Sequence, residues 1–266
     1  MRFAIFVDGS NLYGSIKSMH LKVPEYQAFF NYIFRKAVEA RKVALYSDVP
    51  CQIELRRVYW YAVGEMDVWN FDDPNTVKIF RDRLSRDAEL KKKYCELAGR
   101  KLQNGDQSMV MQEASEILLH TARSWYDKKV SSLNGMKSFY HAVQRDTDFI
   151  EIIATARWKL DVFRQSAIEK GLDTALAVDM IAQQDNYDVA ILISGDADNI
   201  PSVKYIGNHN KVFGVVDFLE GYPPERQGRQ SSHHLKSAAD FVVPVYEMDL
   251  IAQRIAEKDK VLVDAI

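Results

Sequence analysis

Four aspartates stand where the sequence changes from one type of segment to another. Asp8 follows the apolar run "FAIFV", and Asp196 and Asp198 follow the apolar run "VAILIS" (189–194). Asp173 lies in "EKGLDT", at the start of a predicted helix. In an open parallel sheet, ligands bind in the crevice at the carboxyl ends of the strands. We therefore expect these four carboxylates to lie close together at one edge of a sheet.

A carboxylate at the end of a buried strand is costly unless another group compensates its charge. A divalent cation compensates several carboxylates at once, and Mg²⁺ or Mn²⁺ prefers the oxygen ligands that aspartates supply. A bound cation lowers the pKa of a water ligand and stabilises charge on a leaving oxygen. The sequence therefore predicts a metal site for phosphodiester hydrolysis, with Asp8, Asp173, Asp196 and Asp198 as metal ligands and catalytic residues.

The same aspartates also suit ordinary structural roles. Asp8 could form an Asx-turn before a helix, and Asp173 could be a helix N-cap. Asp196 or Asp198 could cap the helix that is predicted to begin near Asn199, and of the two we expect Asp198 to be the cap. Both interpretations stay open for each aspartate.

Polar residues near these aspartates are candidates for supporting roles. Asn11 is expected to orient the first aspartate or a phosphate, while Ser10 and Ser194 could bind a substrate phosphate or simply stabilise turns. Asp179 stands six residues after Asp173, which is about 240° around a helix, so both cannot point at one metal. We expect Asp179 to accept a structural hydrogen bond, or to support the metal ligands without touching the metal.

Short apolar runs alternate with segments of helical periodicity, which is typical of βαβ units and of a mostly parallel sheet covered on both faces. The predicted fold class is therefore α/β, with a central sheet between layers of helices. The predicted strands are 3–7, 55–63, 159–163, 189–194, 211–216 and 240–245, and the predicted helices between the later strands are 174–184, 199–207 and 231–239.

The interval from about 65 to 157 interrupts this alternation with long stretches that are rich in helix-forming residues. No linker rich in Pro, Gly or Ser brackets it, so we expect a single domain over 1–266 that carries a long helical insertion at about 65–157. Because so much apolar periodicity must be buried, the insertion is expected to form one wall of the cleft or a homo-oligomer interface.

Charge and composition limit the classes of partner. The 35 Lys and Arg residues against 37 Asp and Glu give a formal net charge of -2, so only a local basic patch could meet a polyanion. Candidate patches are 56–61, 91–93 and the group Arg226, Arg229, His233 and His234. No apolar run approaches the length that spans a bilayer, and the first residues do not resemble a signal peptide. We expect a cytoplasmic protein with no membrane partner.

Three ordered blocks of the sequence also resemble a known family. The blocks "FVDGSNLY", "KGLDTALAVDMI" and "ILISGDADNIPSV" are similar to the signature blocks of NYN domains of the LabA/DUF88 type, within the PIN-like nuclease superfamily. The resemblance covers residues 1 to about 63 and 157 to about 247, and it implies a PIN-like three-layer fold and a metal-dependent nuclease. By this resemblance the metal-site residues are Asp8, Asp173 and Asp196, with Asp198 as a further acid and Asn11 as the asparagine of the first block.

Two features depart from the pattern of that family. Asn199 follows Asp198, where a large apolar residue is common, and this bears on helix packing more than on metal binding. The interval 65–157 is much longer than the usual connection. The choice of substrate therefore does not carry over from the resemblance.

The leading hypothesis is a Mg²⁺- or Mn²⁺-dependent ribonuclease, expected to be an endoribonuclease, that hydrolyses phosphodiester bonds of single-stranded RNA. A DNA-directed nuclease is an alternative, because no residue identifies a group that would sense the 2′-OH. A non-catalytic NYN module that binds RNA or protein partners is another. A dinucleotide enzyme and a Walker-type NTPase are disfavoured, because neither GxGxxG after the first strand nor GxxxxGK[ST] is present.

Overall fold

The structure is a computed structural model that describes residues 1–46, 52–102, 106–225, 227–228 and 231–259. Two members of the predicted basic patches, Arg226 and Arg229, lie outside the described residues. The chain divides into two compact units. Unit 1 comprises Met1–Val63, Phe139–Ala156 and Gly171–Ile266, and unit 2 comprises Gly64–Ser138 and Arg157–Lys170. The expectation of a single domain over 1–266 stays a prediction.

Strands and helices alternate along most of the chain. The strands are β1 (Arg2–Asp8), β2 (Leu21–Lys22), β3 (Glu54–Met66), β4 (Ile150–Asp161), β5 (Ser166–Lys170), β6 (Val189–Ile193), β7 (Val212–Leu219), β8 (Phe241–Tyr246) and β9 (Glu257–Lys258). The α-helices are α1 (Gly9–Ser18), α2 (Tyr26–Leu45), α3 (Pro74–Arg86), α4 (Ala88–Leu102), α5 (Gln107–Arg145), α6 (Leu172–Ala182), α7 (Ile200–Asn208), α8 (His233–Ala238) and α9 (Glu247–Ala252). Within the described residues, no helix is both long and apolar enough to cross a membrane.

Unit 1 is built on a sheet whose strands lie in the order β4-β3-β1-β6-β7-β8. Strand β1 pairs in parallel with both β3 and β6, and β7 and β8 continue the parallel arrangement. The carboxyl end of β1 therefore lies between those of its neighbours, with Asp8 opposite Tyr61 of β3 and Val7 opposite Ile193 of β6. The predicted α/β class with a mostly parallel central sheet is confirmed.

The residues of β1 alternate between two buried faces. Phe3, Ile5 and Val7 belong to a core cluster that includes side chains of α1 and α2. On the other face, the Phe6 ring stacks on the Tyr59 ring with centroids 5.1 Å apart. Helix α6 also packs against β1 within unit 1. Each such side chain contributes about 1.5–3 kcal/mol when it is fully buried. Burial on both faces explains why β1 is almost continuously apolar until it reaches its carboxyl end.

Unit 2 contains α3, α4 and the part of α5 up to Ser138, and it has a hydrophobic core of its own. Along α5 a stripe of residues four positions apart, Ala114, Leu118 and Ala122, is 0% exposed. Small side chains in such a stripe allow helices to pack closely, and Phe80 and Tyr94 lie in the same cluster. The helices between residues 74 and 145 account for the helical periodicity of the long interval.

Two boundaries differ from the predicted elements. Strand β4 begins at Ile150, so the end of the interval predicted to be helical is a strand, and its sequence "IEIIATA" has the β-branched residues that strands favour. The predicted strand 159–163 ends at Asp161. The Asp161 side chain accepts hydrogen bonds from the backbone N–H groups of Phe163 at 3.1 Å and Arg164 at 3.0 Å. This Asx-turn directs the chain into β5, which pairs antiparallel with β4.

Candidate functional site

Asp8 lies where β1 meets α1. It is the last residue of β1 and the N-cap of α1, so no residue separates the strand from the helix. Its Oδ1 accepts a hydrogen bond from the backbone N–H of Asn11 at 2.9 Å, and its Oδ2 accepts one from the side-chain amide of Asn11. Asp8 is only 3% exposed. It therefore caps α1, while Asn11 holds its carboxylate from the side of the helix.

A buried hydroxyl joins Asp8 to the loop after β6. Ser194 directly follows β6, which pairs with β1, and it is 3% exposed. Its Oγ donates to Asp8 Oδ2 at 3.3 Å and accepts from the backbone N–H of Asp196 at 3.1 Å. Asn199 Nδ2 donates to the same oxygen at 3.5 Å. Ser194 thus links two of the predicted site aspartates, and its contact with a substrate phosphate stays a prediction.

Asp196 precedes a 3₁₀ turn, Ala197–Asn199, that contains Asp198 and leads into α7. The Oδ1 of Asp196 accepts the backbone N–H of Asp198 at 3.0 Å, so Asp196 is the N-cap of the turn. Asp198 is exposed in the first turn of this segment. Of the two aspartates, Asp196 therefore has the capping role, and the expectation that Asp198 is the cap is wrong. The Asp198 side chain faces solvent.

Asp173 joins the group from α6. It lies in the first turn of that helix, after Gly171, whose φ of 89° is readily adopted only by glycine. Burial raises the pKa of Asp173, and the negative charges of Asp8, Asp196 and Asp198 raise it further. A carboxyl group responds in this way only when the other charges are near. The negative charges of the other three predicted aspartates therefore act on Asp173, which a cation or a proton would relieve. A shared metal site of the four stays a prediction.

Carboxylate oxygens are suitable ligands for a hard divalent cation, but the four carboxylates are not arranged around a common metal position. Over the residues that the structure describes, no group of three or more His, Cys, Asp and Glu side chains is placed to hold a metal ion. The Oδ1 atoms of Asp8 and Asp196 already accept backbone N–H groups. Oxygen ligands are those that Mg²⁺ and Mn²⁺ prefer. Metal binding would therefore require some of these side chains to rotate towards a common centre.

Asp179 lies on the same helix as Asp173 and makes a different contact. The hydroxyl of Tyr61 donates to Asp179 Oδ2 at 3.1 Å. Tyr61 is completely buried, and it lies opposite Asp8 in the pairing of β1 and β3. Burial, together with the negative charge of Asp179, raises the pKa of Tyr61 far above its ordinary value. Asp179 therefore ties α6 to β3 beside the carboxylates, and a role in support of metal ligands stays a prediction.

Another buried aspartate, which was not among the predicted site residues, lies on β7. Asp217 is 4% exposed, its Oδ2 accepts from Lys236 Nζ at 3.0 Å, and its Oδ1 accepts from the backbone N–H of Ser231 at 2.9 Å. The backbone N–H of Ser232 in turn donates to the carbonyl oxygen of Gly195 at 3.2 Å. These contacts hold the segment before α8 against the loop after β6. An aspartate inside the apolar run "VFGVVDFL" was the available sequence signal, because a buried charge needs a partner.

The remaining predicted contact residues lie mostly on the surface. Ser10 is exposed in the first turn of α1, and the lysines of 91–93 are exposed on α4 of unit 2. His233 and His234 begin α8 with their ring centroids 6.2 Å apart. Trp60, within the patch 56–61, is buried in the core of unit 1. Contact of these exposed residues with a substrate stays a prediction.

A match to a known protein family covers the second and third of the sequence blocks described above. A family model of the NYN domain matches residues 103–247, which is more than half of the chain. The chain belongs to the NYN domain family. The NYN match includes Asp173, Asp196 and Asp198, whereas the block that contains Asp8 precedes it. NYN domains are part of the PIN-like nuclease superfamily, and the narrower LabA/DUF88 type stays a prediction.

Among solved structures, this NYN protein is similar to a crystal structure of a protein of unknown function, VPA0982, from Vibrio parahaemolyticus RIMD 2210633. The two share 17% identity over 92% of each chain, with a TM-score of 0.45. No curated protein matches the chain. The assignment to the NYN family therefore rests on the family match.

Proposed function

We propose that this NYN protein is a metal-dependent nuclease that hydrolyses phosphodiester bonds of single-stranded RNA. The observation that carries the proposal is the hydrogen-bonded link from buried Asp8 through Ser194 to Asp196 at the carboxyl ends of β1 and β6. The negative charges of Asp8, Asp196 and Asp198 also raise the pKa of Asp173. Carboxylates that repel one another destabilise a metal-free site, and groups with perturbed pKa values are concentrated where proteins bind ligands or catalyse reactions. Membership of a nuclease superfamily supplies the reaction that this cluster would serve.

Mg²⁺ or Mn²⁺ is the cofactor that suits these donors, with Asp8, Asp173, Asp196 and Asp198 as its proposed ligands. When bound, such a cation supplies an activated water and stabilises the negative charge on the leaving oxygen. Asp8 is the most rigidly held ligand, because it is buried and two neighbouring side chains donate to it. Asp198 is exposed, so its carboxylate can turn towards a ligand at little cost.

Protons compete with the cation for this cluster. Because its pKa is raised, Asp173 keeps its proton to a higher pH than an ordinary aspartate does. Metal ligands must be deprotonated to bind, so metal affinity and cleavage are expected to fall as the solution becomes acidic. Asp196 is held in position by its backbone bond to Ser194 and by its own capping bond.

RNA as substrate and internal cleavage are proposed from the resemblance to the LabA/DUF88 type, and a DNA-directed nuclease is the alternative that the same carboxylates would serve. A module that only binds RNA, a polyanion, gains nothing from the negative charges gathered around Asp173. The cluster around Asp173 therefore favours catalysis over binding alone.

A cleavage assay with the full chain tests the proposal. Labelled single-stranded RNA and DNA oligonucleotides are incubated with Mg²⁺, Mn²⁺ or EDTA, and RNA is expected to be cut only when a divalent cation is present. Asp8→Asn and Asp196→Asn are each expected to lower the rate by more than about 100-fold, since even groups that only support metal ligands are worth 10–100-fold. Asparagine is also a good N-cap, so both variants should keep the fold.

Asp127→Asn is the matched control, because Asp127 is an exposed aspartate on α5. It is expected to cut at the wild-type rate. Near-normal cleavage by Asp8→Asn and Asp196→Asn would overturn the proposed site, and undiminished cleavage in EDTA would overturn the role of the metal. Cleavage of DNA alone would favour the DNA-directed alternative.

A further inference from the structure

Helix α1 has two unlike faces. Its buried side is formed by Leu12, Ser15 and Ile16. Ser10, Tyr13 and Lys17 are exposed. With 3.6 residues per turn, these three positions fall within about 60° of one another around the helix. We call this exposed stripe of Ser10, Tyr13 and Lys17 the α1 face.

The α1 face begins at the carboxylate cluster. Asp8 caps α1, so at 1.5 Å per residue Tyr13 lies about 7.5 Å and Lys17 about 13.5 Å further along the helix axis. Tyr13 is 68% exposed, and Lys17 Nζ lies 5.9 Å from the centroid of its ring. Proteins that bind single-stranded nucleic acid combine aromatic rings, on which bases stack, with cations that follow the phosphate backbone. The α1 face has one group of each kind.

We propose that the α1 face binds the nucleotides next to the scissile phosphate of a single-stranded RNA, with one base stacked on Tyr13 and a backbone phosphate at Lys17. The inference rests on the proposed function, since the carboxylate cluster marks where the scissile phosphate would lie. The cluster repels a polyanion, and Lys17, about 13.5 Å further along the helix axis, would hold the strand where salt screens most of that repulsion. Because every base has a π face, Tyr13 contributes affinity without selecting a sequence.

The small size of the α1 face favours a nucleic-acid strand over a protein partner. A stable protein interface buries about 800 Å² on each partner. The α1 face offers one aromatic ring between a hydroxyl and an ammonium group, which matches a single base and its neighbouring phosphate. A second copy of the chain would need a much larger apolar surface around Tyr13.

Helix α2 offers matched control residues. Tyr46 directly follows α2 and is 96% exposed, and Lys42 lies in the last turn of the same helix. After α2 the chain returns to begin β3, which is parallel to β1. The end of α2 therefore lies towards the amino edge of the sheet, away from Asp8. Tyr46→Ala and Lys42→Gln remove the same types of side chain where no strand contact is proposed.

Fluorescence anisotropy with a labelled single-stranded RNA, in EDTA and at low ionic strength, measures binding of the full chain without cleavage. Tyr13→Ala is expected to weaken binding by about 5- to 150-fold, the range for loss of one base–aromatic stack, and Tyr13→Phe should keep most of the affinity. Lys17→Gln should reduce the slope of log K against log salt concentration by about 0.7, as expected for one lost phosphate contact. Tyr46→Ala and Lys42→Gln should match the wild type.

RNAs that each lack one base test the stack directly. Loss of the stacked base should weaken binding by the wild type as much as Tyr13→Ala does, and it should have no further effect on Tyr13→Ala. Equal effects on both proteins at every position would overturn the inference. So would absence of RNA binding by the wild type, or a change in oligomeric state in Tyr13→Ala.

The proposed nuclease activity is judged separately, by cleavage in Mn²⁺. Binding that depends on Tyr13, without any cleavage, would support the α1 face and refute the nuclease. Cleavage by Tyr13→Ala at the wild-type kcat/KM would support the nuclease and refute the α1 face. The two failures are therefore distinguishable.

Discussion

Replacing Ser194 with alanine tests whether its buried hydroxyl holds the carboxylates in place. The variant leaves the backbone N–H of Asp196 and the Nδ2 of Asn199 without their acceptor, and it removes one donor from Asp8. The bond to Asp196 is 3.1 Å long, and the other two are longer, at 3.3 and 3.5 Å. A buried group left without a partner costs about 1–3 kcal/mol, and we take the low end for the longer bonds. The free energy of unfolding should therefore fall by about 2–3 kcal/mol.

Both stability and activity are expected to change in Ser194→Ala. At about 2–4 °C per kcal/mol, 2–3 kcal/mol corresponds to a melting temperature about 4–12 °C lower. Because Asp8 and Asp196 lose a shared support, cleavage in Mn²⁺ should fall by about 10- to 100-fold. Urea unfolding in EDTA and initial cleavage rates with a labelled RNA measure the two effects separately.

Ser202→Ala is the control for this variant. Ser202 is 4% exposed and its Oγ donates to the Asn199 carbonyl oxygen at 2.8 Å, so it supports the same loop without touching a carboxylate. It should lose about 1 kcal/mol of stability and keep its cleavage rate. Wild-type stability and cleavage in Ser194→Ala would refute the reasoning. An equal loss of activity in Ser202→Ala would show that loosening of the loop, and not the Ser194 hydroxyl, controls the site.

Three further variants address neighbouring contacts. Because the pKa of Asp173 is raised in the folded state, the stability of the wild type in EDTA should fall as the pH rises from the ordinary aspartate pKa through the raised one. Urea titrations should therefore show that Asp173→Asn is more stable than the wild type at pH 7, and that this advantage disappears below about pH 4. Tyr61→Phe removes the phenol donor to Asp179, so it should lower the free energy of unfolding by about 1 kcal/mol and reduce the cleavage rate only partly. A loss of cleavage as large as that of Asp8→Asn would contradict a supporting role for Asp179. Lys236→Met leaves Asp217 buried without its cation and should cost about 3 kcal/mol in thermal melts, part of which a second change, Asp217→Leu, should restore.

The parts of the candidate site that local patterns encode could be predicted from the sequence. An apolar run that ends in an aspartate identified the carboxyl end of β1, and the run before Asp196 identified that of β6. Parallel pairing then brings such ends together by geometry alone. The same argument does not extend to Asp173, because the strand before it, β5, pairs antiparallel with β4. Asp173 reaches the cluster through the first turn of α6.

Other features depend on contacts between distant segments. Asp217 and Lys236 meet only because the chain returns from β7 to α8, so neither residue alone indicates an ion pair. The division into two units likewise follows from packing. The interval 65–157 begins beside the boundary at Gly64, but Phe139–Ala156 belongs to unit 1 and Arg157–Lys170 to unit 2. Helix α2 was not among the predicted helices, although its sequence contains a helical signal. Phe29, Phe30 and Ile33 have helical spacing and are all buried.

The direct passage from β1 into α1 limits how the length of this protein can change. Because Asp8 both ends the strand and caps the helix, a residue inserted between them would turn Asn11 by about 100° and carry it away from the carboxylate. Gly9 is equally constrained, since a Cβ there would lie 2.5 Å from the carbonyl oxygen of Tyr61 and 2.7 Å from Trp60 Nε1. Evolution or an engineer can lengthen exposed loops elsewhere. This junction admits neither an insertion nor a larger residue.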